Sequence, residues 1–141
     1  MSQKIAQNLK TLRNQIRKKR KPNQTIKLVA VTKTRSSKEV SFAIEAGDIS
    51  IGENKVQEAE QKFLEAPLVG EIEKRLIGRL QSNKVKKAIQ IFDTIDSVDS
   101  VRLARKISQA AIVIKKIQRV LIQINTTNEE TKGGFSLESE R

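Results

Sequence analysis

The run Ile26-Lys27-Leu28-Val29-Ala30-Val31, leading into Thr32-Lys33-Thr34, decides the fold. It is short, rich in β-branched residues and too apolar on both parities for a strand with one wet face. Strands covered on both faces have this composition, and parallel sheets are built from them. Upstream, Ile5, Leu9, Leu12 and Ile16 form a single apolar stripe on a helix expected over residues 3–20, which Pro22 and Asn23 stop.

Downstream the same kind of strand alternates with helices. Ser37 is a plausible N-cap for a helix carrying Val40, Ala43, Ile44 and Ala46 and ending at Gly47. Ile49–Ile51 reads as a second strand, followed by Gly52-Glu53-Asn54 and a helix from Lys55 to Ala66. Pro67–Glu71 is a loop and Arg75–Gly78 a third strand. Gln81–Ile91 reads as helix, Phe92–Ile95 as a fourth strand, Val98–Lys115 as the longest helix and Val120–Ile124 as a fifth, nearly all-apolar strand. A further helix start is expected near Ser136. This alternation argues for repeated βαβ units with right-handed crossovers and a parallel sheet. A doubly wound sheet and a (β/α)8 barrel both fit it. With no linker or internal repeat, residues 1–141 are read as one domain whose last unit is unfinished.

Composition removes several function classes. Without cysteine or histidine there is no disulfide, no thiolate or imidazole metal site and no Cys nucleophile. Chemistry near neutral pH must then come from lysine, carboxylates or a cofactor. No apolar stretch is long enough to span a bilayer and no apolar signal core opens the chain, so the cytoplasm is the expected compartment, with no membrane partner. The net charge of +12 invites polyanions. Its excess, however, lies entirely ahead of the first acid, Glu39, and centres on Arg17-Lys18-Lys19-Arg20-Lys21. A solvated helix end is the favoured reading, since cations there complement the helix dipole. A polyanion-binding face on the N-terminal helix is the alternative, although neither Tyr nor Trp is available to stack bases.

Parallel α/β folds collect their functional groups at the C-terminal ends of strands. Those ends are polar here: Thr32-Lys33-Thr34, Gly52-Glu53-Asn54, Gly78-Arg79 leading to Gln81-Ser82-Asn83, Asp96-Ser97 and Asn125-Thr126-Thr127. Lys33 shares strand parity with Val29 and Val31. In a closed barrel it would point inward, lose hydration and become nucleophilic. A lysine snorkelling outward from a strand end is the competing reading. Gly52-Glu53-Asn54 and Gln81-Ser82-Asn83 are each also ordinary turn or helix-start chemistry, Asp99 an ordinary first-turn acid and Lys132-Gly133-Gly134 an ordinary loop. There is no Walker A motif, no dinucleotide-binding glycine pattern and no serine nucleophile elbow.

Taken together, the segments 28–34, 52–58, 77–84, 95–100 and 121–125 resemble, in order and spacing, the pyridoxal 5′-phosphate (PLP) homeostasis family, related to the N-terminal barrel of alanine racemase. The resemblance runs from about residue 5 to 135, and Gly52–Glu58 and Gln81–Lys84 are its most specific blocks. It implies a single (β/α)8 TIM barrel with an extra N-terminal helix, here incomplete with about five strands. It also implies a non-catalytic vitamin B6 protein holding PLP as a Schiff base on Lys33, with Asn54, Gly78, Ser82, Asn83 and Asn125 as further cofactor-binding candidates. The expected partners are PLP and PLP-dependent apoenzymes, with a monomer when the barrel is complete and no nucleic acid. A racemase-type PLP enzyme is a further alternative, but the chain has no tyrosine to serve as its acid–base group. Two departures stand out. The family usually carries Trp-His-Phe-Ile-Gly where this chain has Lys74-Arg75-Leu76-Ile77-Gly78. The chain is also shorter than the family, so the loops after strands 7 and 8, where such barrels bind phosphate, are expected to fall outside it.

Overall fold

A computed structural model describes residues 2–47, 49–65, 72–127, 129 and 133–136. The elements follow in the order α1 (Ser2–Lys19), β1 (Val29–Val31), α2 (Ser37–Glu45), β2 (Ser50–Glu53), α3 (Val56–Glu65) and β3 (Lys74–Leu76). A 3-10 turn (Ser82–Lys84), α4 (Val85–Ile91), β4 (Thr94–Val98), α5 (Val101–Val113) and β5 (Arg119–Ile122) come next. Two short strands, β6 (Ile124–Asn125) and β7 (Phe135–Ser136), pair separately. The main sheet is β1-β2-β3-β4-β5, every pair parallel, so each βα unit lies beside its sequence neighbour. An α/β fold with a parallel sheet and an added N-terminal helix is therefore present.

Register assigns the two faces. Val31, Gly52, Arg75 and Thr94 align on one, while Glu53, Leu76, Ile95 and Val120 align on the other. The second face carries the core: Leu76 and Ile95 pack with Val56 and Ala59 of α3, Val85, Ala88 and Ile89 of α4, Phe92, and Leu103 and Ile107 of α5. Each fully buried large side chain of this kind contributes about 1.5–3 kcal/mol relative to exposure. The helices are held to the sheet by that layer. Among the described residues no helix is long and apolar enough to cross a membrane.

Several local readings shift. The N-cap of α2 is Ser36, not Ser37: its hydroxyl accepts from the Glu39 amide, and the Glu39 carboxylate accepts from the Ser36 amide at 2.9 Å, a complete capping box. Gly47 ends that unit with φ +80°, a conformation that favours glycine. Val98 closes β4 instead of opening a helix, and Ser100 caps α5. Phe135–Ser136 is a short strand paired with Ile124–Asn125, and the helix expected to start near Ser136 would lie outside the described residues. Gln123 supports this pairing, its Nε2 donating to the Gly133 carbonyl at 2.7 Å while its own carbonyl accepts from the Phe135 amide at 2.8 Å. The Pro67–Glu71 loop falls outside the described residues. β5 is nearly all apolar, yet Val120, Leu121 and Ile122 are 41%, 50% and 65% exposed. As the last strand in the order it has a neighbour on one side only.

Candidate functional site

The C-terminal ends of β1, β2 and β3 bring Lys33, Asn54 and Gly78 onto one rim. Lys33 lies just beyond β1 and is exposed, so the dehydration expected of a lysine inside a closed barrel is not present. Its amine forms no hydrogen bond or ion pair among the described residues.

The residues on either side of Lys33 are, by contrast, tightly held. The Thr32 hydroxyl donates to Glu53 Oε1 at 2.6 Å, and the Thr32 carbonyl accepts from Lys62 Nζ at 2.7 Å. Lys62 also donates to Glu53 Oε1 at 2.5 Å. This pair is buried between β2 and α3, with Glu53 fully inaccessible and its Oε2 without a partner among the described residues. On the far side, the Thr34 amide donates to Glu58 Oε1 at 2.8 Å, and Thr34 sits at φ +63°. That hydrogen bond, with the nearby charge of Lys62, holds the Glu58 carboxyl below its usual range against a smaller opposing effect of burial. Strand β2 and helix α3 thus clamp the backbone before and after the lysine while leaving its side chain free.

Gly78 meets Asn54 backbone to backbone. A Cβ at Gly78 would lie 2.3 Å from the Asn54 carbonyl oxygen and 2.7 Å from its Cα, so only glycine allows the ends of β2 and β3 to approach this closely. Ser97 Oγ donates to the Gly78 carbonyl at 2.6 Å and ties β4 to the same point. Ser82 and Asn83 are exposed in the 3-10 turn that follows. Asn125 is turned toward its own loop: its Nδ2 donates to the Glu129 carbonyl at 3.0 Å and its Oδ1 accepts from the Thr127 amide at 3.3 Å. Lys33, Asn54 and Gly78 are therefore held at adjacent strand ends, with Ser82 and Asn83 following on the surface and Asn125 engaged locally.

The other sheet face holds a polar network that no motif announced. Glu73 accepts from Lys27 Nζ at 2.6 Å, Ser50 Oγ and Thr94 Oγ1 at 2.8 Å each, and Arg75 Nη1 at 3.1 Å. Burial alone would raise the Glu73 pKa, but the hydrogen bonds from Lys27, Thr94 and Ser50 and the charge of Arg75 together lower it to about 2. Arg75 also forks onto Asp96, Nε to Oδ2 at 3.0 Å and Nη2 to Oδ1 at 2.9 Å. An arginine–carboxylate pair thus stands where the family resemblance leads one to expect an aromatic–histidine pair. Among the described residues no cluster of three or more acidic residues could hold a metal ion.

The same chain order and spacing recur in known proteins. It is 33% identical over 138 residues to a pyridoxal phosphate homeostasis protein of Pasteurella multocida, covering 96% of this chain and 58% of that protein. It is 37% identical to the protein of the same name in Escherichia coli, covering 94% of this chain and 59% of that one. The chain is a homologue of the pyridoxal phosphate homeostasis proteins. It spans less than two thirds of the length of these relatives. No protein-family model matches it. Among solved structures, PipY of Synechococcus elongatus without PLP superposes with a TM-score of 0.83 at 34% identity, covering 93% of this chain and 58% of PipY. PipY with PLP bound superposes at 0.81 and 33%. Alanine racemase of Clostridium difficile, at 17% identity and a TM-score of 0.62, shares the fold. The homeostasis relatives carry the name of a homeostasis protein rather than of an enzyme.

Proposed function

We propose that this chain is a PLP-binding segment of a homeostasis protein, one that holds the cofactor without transforming substrates and presents it to PLP-dependent apoenzymes. The observation that carries this reading is the clamped rim: Thr32 and Thr34 are each fixed by α3 or β2, and the Lys33 amine between them has no partner among the described residues. A fixed backbone carrying a free primary amine suits a cofactor whose aldehyde bonds covalently to lysine. PipY, which was solved with PLP bound, shares this fold.

The rim's other groups complete the assignment. Asn54 and Gly78 bring two strand ends together beside Lys33, and we assign Ser82, Asn83 and Asn125 to the outer cofactor contacts. We take residues 1–141 as one unit, a reading supported by the continuous β1–β5 sheet and the core from α3 to α5. No tyrosine, histidine or cysteine is present to act opposite Lys33 as an acid–base partner, which favours holding over turnover.

The test is PLP addition followed by borohydride and peptide mass spectrometry. One stable adduct on Lys33, absent in Lys33→Ala, is expected, with no racemisation of alanine by the loaded protein. An adduct spread evenly over the surface lysines and unchanged in Lys33→Ala would overturn the assignment.

A further inference from the structure

Part of the N-terminal cationic excess gathers around one cavity, with Arg13 half-buried in its wall and Arg17 and Arg20 exposed at it. Arg13, Arg17 and Arg20 of α1 and the strand-leading Lys27 line a cavity of about 550 Å³ at the N-terminal ends of β1, β2 and β3. This is the opposite end of the sheet from Lys33. Ile26, Leu28, Ile44 and Ile49 give the same cavity an apolar wall.

The charges around it are unequally met. One carboxylate, Glu73, also lines the cavity, but it is taken up by Lys27, Ser50, Thr94 and Arg75. Arg13 is part-buried; its Nη1 donates to the Ala46 carbonyl at 2.8 Å, while its Nε and Nη2 are sealed from solvent with no hydrogen-bond partner among the described residues. Neither Arg13, Arg17 nor Arg20 forms an ion pair among the described residues. A guanidinium held in a poorly solvated wall without a counter-charge is costly, and a bound anion offsets that cost.

We propose that this cavity binds a small organic phosphate of nucleotide size, its phosphates on the forks of Arg17 and Arg20 within the field of Arg13 and its body against the isoleucines. Guanidinium forks match phosphate oxygens two at a time. The volume falls within the range of about 300–1,000 Å³ usual for small-molecule sites. A concave, apolar-walled site suits a compact ligand better than a nucleic-acid backbone, and the chain has no Tyr or Trp on which bases could stack. The proposal is independent of PLP binding at the other rim.

The experiment titrates the 141-residue chain with ADP and, separately, with inorganic pyrophosphate, by calorimetry. Saturable one-to-one binding of ADP, tighter than pyrophosphate, is expected. Arg17→Gln/Arg20→Gln should weaken ADP by about 100-fold, taking about 10-fold per charge-assisted contact. Lys18→Gln/Lys19→Gln removes the same charge from the same helix turn but from residues that do not line the cavity, and should change affinity by less than about threefold. The Lys33 borohydride adduct should be unaffected in both, which separates this test from that of the PLP reading. Equal weakening by the two pairs would mean a diffuse field rather than a site and would overturn the proposal. So would duplex DNA or RNA displacing ADP, or an absence of ADP binding. Asp48 and Glu71 border lining residues in sequence; binding that appears only in Asp48→Asn or Glu71→Gln would mean that the chain already supplies the counter-charge, and would equally refute the idea.

Discussion

Strands β2 and β5 belong to the same sheet, and the less apolar of the two is the one that is buried. β2 reads Ser-Ile-Gly-Glu and every residue is inaccessible, including a glutamate; β5 reads Arg-Val-Leu-Ile and every residue is exposed. β2 lies between β1 and β3 and is backed by α3, whereas β5 has only β4 beside it. Composition sets which segments become strands, but neighbours decide which strands leave water. The interior position of β2 also lets it carry a buried charge pair that would be pointless at the edge.

That contrast is most severely tested at Lys62. Lys62→Ala leaves the inaccessible Glu53 carboxyl with only the Thr32 hydroxyl among the described residues, and should cost about 3–5 kcal/mol in urea unfolding. Glu53→Gln/Lys62→Met removes both charges and should cost clearly less than the single change. A single-variant cost under about 1 kcal/mol would show that β2 is not the sealed layer its accessibility indicates.

Glu73 makes the next largest prediction. Its pKa is lowered from 4.5 to about 2, so its ionised form stabilises the folded state. That contribution is fully present above pH 4.5 and is lost as pH falls through about 2. At 1.36 kcal/mol per unit it amounts to about 3 kcal/mol. Glu73→Gln should lose about 2–3 kcal/mol at neutral pH and flatten the acid limb of the stability curve. An unchanged acid limb would detach the network from the sheet's stability.

Gly78→Ala should cost about 1–3 kcal/mol, because the added methyl meets backbone rather than a side chain that can swing away. It should also weaken PLP retention by displacing Asn54, read as the yield of the Lys33 adduct. The smallest effect belongs to β5. Leu121→Lys should shift stability by under about 0.5 kcal/mol, since the side chain is already half in water. The same change should reduce self-association through the open sheet edge, measured by sedimentation. A large loss of stability would mean that β5 is covered in solution, and the contrast with β2 would fail.

The strand and helix order was legible because period and punctuation are local. The stripe Ile5, Leu9, Leu12, Ile16, the stop at Gly47 and the paired parity of Val29, Val31 and Lys33 all depend on residues within one element. Misreadings occurred where two local signals competed. Ser36 and Ser37 are both caps by type, and only Ser36 has glutamate three residues on. Val98 was read as opening a helix where it closes a strand and Ser100 caps the helix. The placement of Lys33, Asn54 and Gly78 at the ends of successive strands was legible, because it follows from strand order alone. The Glu53–Lys62 pair and the Arg75–Asp96 fork were not, since each joins residues that only tertiary packing brings together. The charge run at Arg17–Lys21 read as a solvated face and is exposed throughout, but sequence cannot show that Arg17 and Arg20, unlike the lysines between them, also line a cavity.

The strict sequence order of the sheet has one further consequence. Every parallel unit docks only on the unit before it and the unit after it, as in a repeat array, so cooperativity must be handed along the sheet pairwise. Such a chain melts from its ends. Amide hydrogens of β2 and β3 should exchange only on global opening, those of β4 somewhat sooner, and those of β5 through frequent fraying that leaves the clamp around Lys33 closed.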